Sequence, residues 1–556
     1  MQRRHVLYQL GAAGLVLPHA NALFRLAAGA FAGSPSSTRA VPSPQQQAWQ
    51  DLELGMFVHF APNTWQDVES DDLSTPLTKI NPEKLDTDQW ARTAVALGAR
   101  YIVFVAKHQG GFCMWQTHTT DYGIRNTPWK HGTGDVLAEV QASCQRYGLR
   151  LGVYVCPRDD HFGAGTGGVA KDPSRQPAYD AMYREQLTEV FSRYGDLVEV
   201  WFDGSTVTPV GDLLEKYQPN AMIFQGPQAT IRWVGNEDGF APYPCWNGAD
   251  ATEARKGIAT ALDGDADGNK WLPNEVDVSI RRPDWFWRTD NEKKVLTKNQ
   301  LLSIYYRSVG RGAQLLLNIP ATRDGLLPAP DCTVAAEFGA ELNRRFRTPI
   351  ASKKASGRSV VLELPSSVRV DTVLLEEQIA LGERVRAYRL EGKTGSIWKL
   401  LAEGTSIGHK RIQPVTPATV SAIRFVATES TGTPSLRTFA VYNTDVAPPS
   451  DWSAITSVWS SNLVGSWGNG SFALDLTKHI LVAGQYALRF RPEQGAVHGF
   501  KVVALQIGGV VTPGLLQIDR KRQDELLLDI TGLDQSIEVS GQVIGASKGS
   551  VLLERR

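Results

Sequence analysis

The chain has 556 residues, enough for about three or four domains of ordinary size. Hydrophobic residues make up 42% and charged residues 21%, which is typical of globular proteins and excludes disordered and collagen-like chains. The 58 basic and 58 acidic residues cancel, so the basic excess expected of a nucleic-acid-binding protein is missing. The 15 tryptophans and 15 tyrosines suit either a neutral ligand such as a sugar or an aromatic core.

The N-terminus predicts an exported protein, periplasmic or extracellular. Arg3 and Arg4 precede an apolar stretch over residues 10–17, a pattern typical of a twin-arginine signal peptide. This stretch is shorter than the roughly 18 apolar residues of a membrane-spanning helix, and no other segment approaches that length. We predict a signal peptide over residues 1–32 and a flexible linker over residues 33–47. An ordinary basic tail is the alternative.

The five cysteines are odd in number, and their spacing fits no zinc site. They are Cys113, Cys144, Cys156, Cys245 and Cys332. A twin-arginine substrate folds in the cytoplasm, where disulfides rarely form. We therefore expect buried free thiols and no cysteine nucleophile.

Residues 48–348 alternate between short apolar runs and helical patterns. The apolar runs are 101–105, 151–155, 197–202, 221–224 and 314–319, and the helical patterns are 135–147, 179–194, 212–217 and 300–309. Continuous apolar runs are typical of parallel strands that are buried on both faces. The repeated units predict an α/β fold, a (β/α)8-type TIM barrel, whose catalytic groups follow the carboxyl ends of the strands.

The sequence pattern changes after residue 348. Short alternating runs separated by turn residues predict a β-sandwich over residues 349–446, and no long helical pattern occurs there. The Pro-containing segment 447–451 reads as a linker at the start of a second C-terminal β-domain, residues 447–556. The clearest strand-like runs of the two regions are 359–364, 370–375, 422–427, 486–491 and 526–530.

Carboxylates suited to glycoside hydrolysis occur in two segments. Asp203 directly follows the apolar run 197–202, where a barrel presents catalytic groups, although an Asp in this position is also a common turn cap. Glu237 lies in the polar segment 231–239, which also holds Arg, Trp and a second carboxylate. The reaction needs one carboxylate at the anomeric carbon and one acid at the departing oxygen, with pKa values that their surroundings push apart.

Two histidines also follow strand-like runs. His59 lies in Gly55–Phe60, and His108 lies in Ala106–Trp115. Either residue alone is as well explained by a structural role as by a functional one. On one barrel rim together with Asp203, they predict a polar pocket.

Residues 263–268 begin like a calcium-binding loop, with Asp at alternate positions. The pattern requires Glu at its twelfth position, which is Asn274 here, and Glu275 comes one residue late. We interpret the segment as a solvated loop. The chemistry requires no metal or other cofactor, because carboxylates supply both the nucleophile and the proton.

These segments together resemble the α-L-fucosidases of glycoside hydrolase family 29, over roughly residues 48–345. The motifs that carry the resemblance are Gly55–Phe60, Lys107–Trp115, Asp121–Tyr122 with Asn126–Trp129, Tyr147–Leu149 with Gly152–Tyr154, Trp201–Gly204 and Leu315–Ile319. The segment 232–239 is similar to the subgroup, plant-type and related bacterial members, that prefers α-1,3- and α-1,4-linked fucose on branched glycans.

The resemblance implies an exo-acting, retaining enzyme that acts on fucosylated oligosaccharides or glycoconjugates. It implies that Asp203 is the nucleophile and Glu237 the acid/base, with Glu275 as the competing acid/base. The residues implied to hold the sugar are His59, His108, Gln109, Tyr154, Trp201 and Arg232, with Trp285 or Trp287 flanking the pocket.

The pair Gln109-Gly110 departs from the commoner family motif, which has His-Asp at these two positions. Gln109 can still donate and accept hydrogen bonds, but it cannot carry a charge. Its part in sugar binding is therefore the least defined of the set.

Two other functions remain open at the level of sequence. One is a glycan-binding protein with a degenerate barrel, and the other is a hydrolase, including an inverting one, of another neutral sugar. The presence of both Asp203 and Glu237 favours an enzyme over a binding protein.

Overall fold

Ten strands lie in the first half of the protein, and eight of them form one parallel sheet. The strands of this half are β1 (Leu54–Val58), β2 (Tyr101–Lys107), β3 (Arg150–Val155), β4 (Leu197–Trp201), β5 (Met222–Phe224), β6 (Arg232–Trp233), β7 (Gly248–Ala249), β8 (Lys270–Trp271), β9 (Asn274–Ser279) and β10 (Gln314–Asn318). Hydrogen bonds join eight of them in the order β5-β4-β3-β2-β1-β10-β9-β6, while β7 and β8 form a separate hairpin. A parallel bridge between Phe224 and Ile231 brings the two edges together, so the sheet is a nearly closed barrel. The predicted TIM-barrel fold is confirmed.

The computed structural model describes part of the chain. The described ranges are 39–249, 264–445, 462–477, 484–492, 498–507, 510–511, 516–518, 525–530, 537–544 and 549–555. The predicted signal peptide lies outside the described residues. None of the helices within these ranges is long and apolar enough to cross a membrane.

Helices follow most of the barrel strands. They are α1 (Pro44–Gln50), α2 (Asn63–Gln66), α3 (Thr87–Leu97), α4 (Val136–Tyr147), α5 (Gln176–Arg193), α6 (Gly211–Tyr217), α7 (Lys298–Arg307) and α8 (Ala329–Phe346). Short 3-10 helices lie at Leu77–Lys79, Ile124–Asn126, Trp129–Gly132, Thr166–Gly168, Pro173–Arg175, Glu292–Lys294 and Ile379–Leu381. The carboxylates of Asp86 and Asp135 accept backbone N–H groups at the starts of α3 and α4, which satisfies amides that have no partner inside the helix.

Helix α1 packs against the amino-terminal end of the barrel and begins inside the predicted linker. Ser43 caps it together with Gln46, whose side chain also donates hydrogen bonds to the carbonyls of Thr230 and Trp271, at 2.8 and 2.9 Å. The indole N–H of Trp49 donates to Glu199 Oε2 inside the barrel, at 3.0 Å. The helix thus closes the end of the barrel opposite to the predicted catalytic rim.

A six-stranded antiparallel sheet follows the barrel. It consists of β11 (Ala351–Ser356), β12 (Ser359–Glu377), β13 (Val385–Thr394), β14 (Ile397–Gly404), β15 (Arg411–Ser430) and β16 (Ser435–Tyr442), in the order β11-β16-β12-β15-β13-β14. Register shifts interrupt the pairing of the long strands β12 and β15, and such bulges bend strands. The sheet encloses its own apolar core, which includes Val373, Tyr388, Phe425 and Phe439.

The C-terminal region forms two further antiparallel sheets. Its strands are β17 (Asn462–Trp467), β18 (Ser471–Asp475), β19 (Gly484–Pro492), β20 (Gly499–Ile507), β21 (Val510–Val511), β22 (Leu516–Ile518), β23 (Glu525–Ile530), β24 (Ile537–Ile544) and β25 (Gly549–Arg555). One sheet has the order β17-β25-β19-β23-β22 and the other β18-β24-β20-β21. Phe472, Phe490 and Phe500 belong to the core of this region. The predicted all-β C-terminal part is confirmed.

Charged side chains join the barrel to the six-stranded sheet. His409 Nε2 lies 2.8 Å from Asp51 Oδ1, and an Arg437 guanidinium N–H lies 2.5 Å from the same oxygen. Lys410 contacts Glu53 in a largely buried ion pair. Burial alone would raise the pKa of Asp51, but the contacts with His409 and Arg437 outweigh it and lower the pKa to about 2. These pairs hold the β-domain to the loop that precedes β1.

All five cysteines are free thiols. Cys113, Cys144, Cys156 and Cys245 are buried, as expected, and Cys332 is partly buried. Burial raises the pKa of Cys144 and of Cys156 to about 12, which keeps both in the unreactive thiol form at neutral pH.

Candidate functional site

A cavity of about 220 Å³ lies at the carboxyl-terminal end of the barrel strands. The residues that line it are Phe57, His59, Glu69, Ser70, His108, Gln109, Tyr154, Trp201, Asp203, Glu237, Asp277, Trp285 and Phe286. Its volume is below the range of about 300–1,000 Å³ of pockets that hold drug-sized ligands, so it suits one small ring. Aromatic rings and carboxyl groups together form its wall.

Asp203 lies two residues beyond the end of β4, after Phe202. Its Oδ2 accepts hydrogen bonds from the Tyr154 hydroxyl, at 2.8 Å, and from Gln109 Nε2, at 3.3 Å. No described residue donates to Oδ1. The chain turns sharply here, because Gly204 has φ +78° and its N–H donates to Gln225 Oε1 at 2.8 Å. Asp203 is therefore held through Oδ2, and its Oδ1 is available to a ligand in the cavity.

Glu237 reaches the same cavity from the loop that follows β6. Its Oε2 accepts a hydrogen bond from the Trp285 indole N–H, at 3.1 Å. The residue is exposed at the mouth of the cavity, yet crowding by protein raises the pKa of its carboxyl, chiefly by desolvation. The charges of Asp203 and Asp238 raise it further, while Trp285 and Arg282 oppose the shift. A carboxyl group with these neighbours keeps its proton to a higher pH than an ordinary glutamic acid, which suits a proton donor.

His59 is buried at the end of β1 and is neutral. Desolvation lowers its pKa to about 3, against the hydrogen bond to Asn318, whose Oδ1 lies 2.9 Å from His59 Nδ1. The Asn318 amide donates to Ser279 Oγ and to the Trp285 carbonyl, so its oxygen must face His59. Nδ1 therefore carries the proton, and Nε2 is left as a hydrogen-bond acceptor for a ligand.

His108 follows β2 and stacks on Tyr154, with ring centroids 5.6 Å apart and ring planes 16° apart. Desolvation lowers its pKa well below the ordinary value, and the nearby His59 and Arg158 add to the effect. Among the described residues, no protein group hydrogen-bonds its buried Nδ1. A neutral imidazole offers one donor and one acceptor, so His108 suits a hydroxyl group.

Aromatic rings form the floor and one side of the cavity. Trp201 stacks on Phe224 with centroids 3.5 Å apart, and its indole N–H donates to Glu199 Oε1 at 2.5 Å. Trp285 lies 5.1 Å from the His59 ring and is anchored by its backbone N–H, which donates to Glu69 Oε2 at 2.9 Å. These contacts fix both indoles before any ligand enters.

Glu69 and Asp277 add two carboxyl groups that the sequence analysis did not single out. Burial raises the pKa of Glu69 to about 7, against the hydrogen bond from the Trp285 backbone. Burial and the charge of Glu237 raise the pKa of Asp277 well above its ordinary value. Asp277 Oδ1 accepts the Trp233 indole N–H at 2.5 Å. Glu69 is therefore partly protonated at neutral pH, and burial favours the protonated form of Asp277.

Phe57, Ser70 and Phe286 also line the cavity and were not expected. Phe57 lies two residues from the predicted residue His59, and Asp277 lies two residues from the predicted residue Glu275. Alternation along a strand places such pairs on the same face, so it was the available signal. Glu69 and Ser70 lie on an irregular loop, where no periodicity marks them.

Two of the residues predicted to bind the sugar lie away from the cavity. Arg232 is buried in β6 and donates to the Trp246 carbonyl at 2.5 Å. Trp287 lies under Arg323, whose guanidinium carbon is 5.8 Å from its ring centroid, and Phe286 takes the place at the cavity instead. Neither residue lines the cavity. Neighbouring positions point in different directions, and the sequence motif does not show which of them points inward.

Glu275, the competing acid/base, is fully buried deeper in the barrel and pairs with Glu199. Glu199 accepts indole N–H groups from Trp49 and Trp201 on its two oxygens, as an ionised carboxylate does. Burial and the neighbouring Glu199 raise the pKa of Glu275 well above its ordinary value, so Glu275 holds the proton of the pair.

The calcium-like loop is described from residue 264 onward. Arg386 pairs with Asp267 at 3.2 Å and also donates to the Ala266 carbonyl. Asp265 Oδ1 accepts the Asp267 N–H at 2.8 Å, which closes a local turn. Within the described ranges, no group of His, Cys, Asp and Glu side chains has an arrangement that would hold a metal ion.

Comparison with known proteins agrees with this geometry. A family model described as alpha-L-fucosidase matches residues 64–345. Alpha-L-fucosidase 1 of Arabidopsis thaliana is 32% identical over 421 residues, which cover 67% of this chain and 81% of the plant protein. A putative alpha-L-fucosidase of Bacteroides thetaiotaomicron superposes with TM-score 0.68 at 31% identity, covering 73% of this chain and 99% of that one. A Ruminococcus gnavus GH29 fucosidase in complex with fucose gives TM-score 0.65 at 26% identity, covering 73% and 95%.

The buried pair allows a matched test of Glu275. Glu275→Gln keeps a donor toward Glu199, so we expect folding and activity on a natural substrate to stay within about threefold of the wild type. Glu199→Gln leaves one indole N–H without an acceptor, which costs about 1–3 kcal/mol and releases Trp201. Thermal unfolding and initial rates measure both variants. A stable Glu275→Gln variant without activity would instead make Glu275 the acid/base.

Proposed function

The chain belongs to the α-L-fucosidase family, glycoside hydrolase family 29, and on that premise we propose that it removes terminal α-1,3- or α-1,4-linked L-fucose from glycans with retention of configuration. In this proposal Asp203 is the nucleophile and Glu237 the acid/base. The observation that carries it is the convergence of these two carboxyl groups, one held by donors and one with a raised pKa, on a cavity that suits one sugar ring.

In the first step, Asp203 Oδ1 attacks the anomeric carbon of fucose. The bond from that carbon to the glycosidic oxygen breaks, and the proton of Glu237 passes to this oxygen, so the aglycone leaves as an alcohol. The Tyr154 and Gln109 donors on Oδ2 keep Asp203 oriented, which supports attack through Oδ1.

In the second step, Glu237 acts as a base. Its carboxylate takes a proton from a water molecule as the water oxygen attacks the anomeric carbon, and the bond to Asp203 breaks. Two inversions leave the product with the starting configuration. The exposed position of Glu237 at the mouth supports this role, because the leaving glycan and then water must both reach it.

The remaining wall supports recognition of a neutral deoxy-sugar. His59 Nε2 accepts a hydrogen bond from a sugar hydroxyl, and the neutral His108 and the partly protonated Glu69 can donate or accept. The rings of Trp201, Trp285 and Phe286 offer apolar contact to the C6 methyl group and the C–H faces of the sugar.

Export of the protein is part of the proposal and rests on the paired arginines and apolar stretch of residues 1–32. Those residues lie outside the described ranges. Cell fractionation that finds the uncleaved chain in the cytoplasm of its host would contradict export.

Substitution separates the roles of the two carboxyl groups. Asp203→Ala and Glu237→Ala should each lower kcat on a natural fucoside by at least about 1,000-fold, because each step needs both groups. With an activated aryl fucoside, whose leaving group needs no proton, Glu237→Ala should regain turnover in azide and yield fucosyl azide. In Asp203→Ala, azide can attack the anomeric carbon directly and yields fucosyl azide of inverted configuration, whereas Glu237→Ala yields fucosyl azide of retained configuration, so the configuration of the azide product identifies each role.

The pH profile provides an independent readout of Glu237. It must be protonated for the first step, so kcat/KM on a natural fucoside falls as pH rises through its raised pKa. With the activated substrate this basic limb should disappear. Full activity of Glu237→Ala on a natural glycan would contradict the assignment.

A linkage panel tests the substrate class. We expect the highest kcat/KM on α-1,3- and α-1,4-fucosylated oligosaccharides and much lower values on α-1,2 and α-1,6 linkages. Initial rates of fucose release on the four linkages measure this preference. A strong preference for α-1,2-linked fucose would contradict the subgroup and leave the family unaffected.

A further inference from the structure

The pair Gln109-Gly110, which departs from the commoner motif, lies directly beside Asp203. Gln109 Nε2 lies 3.3 Å from Asp203 Oδ2, and Arg158 Nη1 lies 3.2 Å from Gln109 Oε1. Arg158 has no direct hydrogen bond to Asp203. Gln109 thus bridges a guanidinium group and the proposed nucleophile.

Arg158 sets the orientation of the Gln109 side-chain amide. An amide has one acceptor end and one donor end of nearly equal shape, and a carboxylate repels the oxygen end. A guanidinium group can only donate, so the Gln109 oxygen faces Arg158 and its NH₂ group faces Asp203. Without Arg158, the amide is free to turn its oxygen to water or toward another donor.

Arg158 is itself fixed by a closed set of contacts. Its Nε and Nη2 reach the two carboxylate oxygens of Asp160, at 3.0 and 2.8 Å. The Asp160 backbone N–H donates to the Gln109 carbonyl at 3.0 Å. Because the pair with Asp160 is bidentate, the third contact of the guanidinium, to Gln109, has a defined direction. The β2 and β3 loops are thereby joined next to the nucleophile.

The other side of the segment is filled by Asp71. A Cβ atom on Gly110 would lie 2.1 Å from Asp71 Oδ2, so no side chain fits at this position. Asp71 accepts hydrogen bonds from the Tyr122 hydroxyl at 2.7 Å and from Gln66 Nε2 at 2.8 Å. Asp71, from the β1 loop, therefore occupies the space where a side chain at position 110 would lie.

We propose that Arg158, acting through Gln109, is a positioning residue for Asp203. This inference rests on the proposed role of Asp203 as nucleophile. Arg158 holds the amide so that its NH₂ group donates to Oδ2, which leaves Oδ1 directed at the anomeric carbon. The same donor stabilises the carboxylate each time it is released from the sugar. In this chain the neutral Gln109, oriented by Arg158, supplies the donor to Asp203 Oδ2, so no charged residue is needed at position 109.

The test is a double-mutant cycle on kcat/KM with Gln109→Leu and Arg158→Leu. Each single variant should lose about 10- to 100-fold, the range expected for one hydrogen bond to a charged group. The double variant should lose no more than Gln109→Leu alone, because Arg158 has nothing left to orient. Losses that multiply in the double variant would show that Arg158 acts independently and would overturn the proposal.

The acid limb of the pH profile provides a readout that a purely structural role would not change. Loss of a donor to the charged form raises the pKa of a carboxyl group, so the acid limb of kcat/KM should move up by roughly one pH unit in both single variants. The other charged or titratable groups near Asp203 are Tyr154, Cys156, Arg158, Glu237 and Asp277. Gln109→Leu leaves all five in place, so its shift reports the lost amide donor alone. An unmoved acid limb in both variants would overturn the proposal.

The controls separate this inference from folding defects and from the proposed function. Arg125→Leu removes an exposed arginine of the β2 loop and should leave kcat/KM and the acid limb unchanged. If Arg158→Leu fails to fold, Arg158→Lys should show the same upward shift of the acid limb with a smaller loss, since lysine cannot hold Asp160 and Gln109 together. An active Asp203→Ala variant would refute the proposed nucleophile, whereas an inactive one with a normal Arg158→Leu profile would refute only this inference.

Discussion

Four carboxyl groups share one small cavity, and the organisation of the site depends on how the protein prevents all four from ionising together. Glu69, Asp203, Glu237 and Asp277 line about 220 Å³. Like charges so close raise each other's pKa values, and burial adds to the effect. Among the four, Asp203 alone accepts both a tyrosine hydroxyl and an amide N–H on one oxygen. Asp203 therefore has donors that suit a carboxylate, whereas burial raises the pKa values of Glu69, Glu237 and Asp277, and acid/base catalysis requires such a division.

Residues deeper in the barrel fix the floor of the cavity. Inward-facing positions alternate along each strand, so Trp201 lies one step beneath Asp203, and Glu199 one step beneath Trp201. Glu199 binds the indoles of both Trp49 and Trp201, which connects helix α1 at one end of the barrel to the cavity floor at the other. The proton on Glu275 keeps this deeper pair at a single negative charge. At both levels of the barrel, indole N–H groups donate to carboxyl groups: to Glu199 in the deeper pair, and to Glu237 and Asp277 in the cavity.

Much of this arrangement could be predicted from the sequence, because catalytic barrels place polar residues directly after apolar runs. Asp203, His59 and His108 follow such runs, and all three line the cavity. The sequence did not show in which direction some of the side chains point. Strand β6 has two residues, so periodicity cannot show that Arg232 points away from the cavity. The segment Trp285–Trp287 is a loop without a fixed period, and there Phe286 rather than Trp287 lines the cavity.

Long-range contacts were beyond prediction for a different reason. The capping residues Ser43 and Gln46 lie in a Pro- and Gln-rich stretch that reads as a linker, and only the barrel shows what α1 covers. Asp71 and Arg158 are separated from Asp203 in sequence, and their functional meaning depends on which loops the closed sheet brings together. From the sequence alone, the presence of Gln109-Gly110 in place of His-Asp left the part of Gln109 in sugar binding undefined. In the fold it is accompanied by an arginine and a carboxylate from neighbouring loops.

The central claim is that Asp203 forms a covalent bond to fucose. Incubation with 2-deoxy-2-fluoro-L-fucosyl fluoride tests it directly, because the good leaving group speeds the first step and the ring fluorine slows both, so the intermediate accumulates. Proteolysis and mass spectrometry should find one fluorofucosyl group on the peptide that contains Asp203, attached to that residue. Attachment to Glu237 or to another residue, or absence of labelling together with inverted configuration of released fucose, would contradict the account.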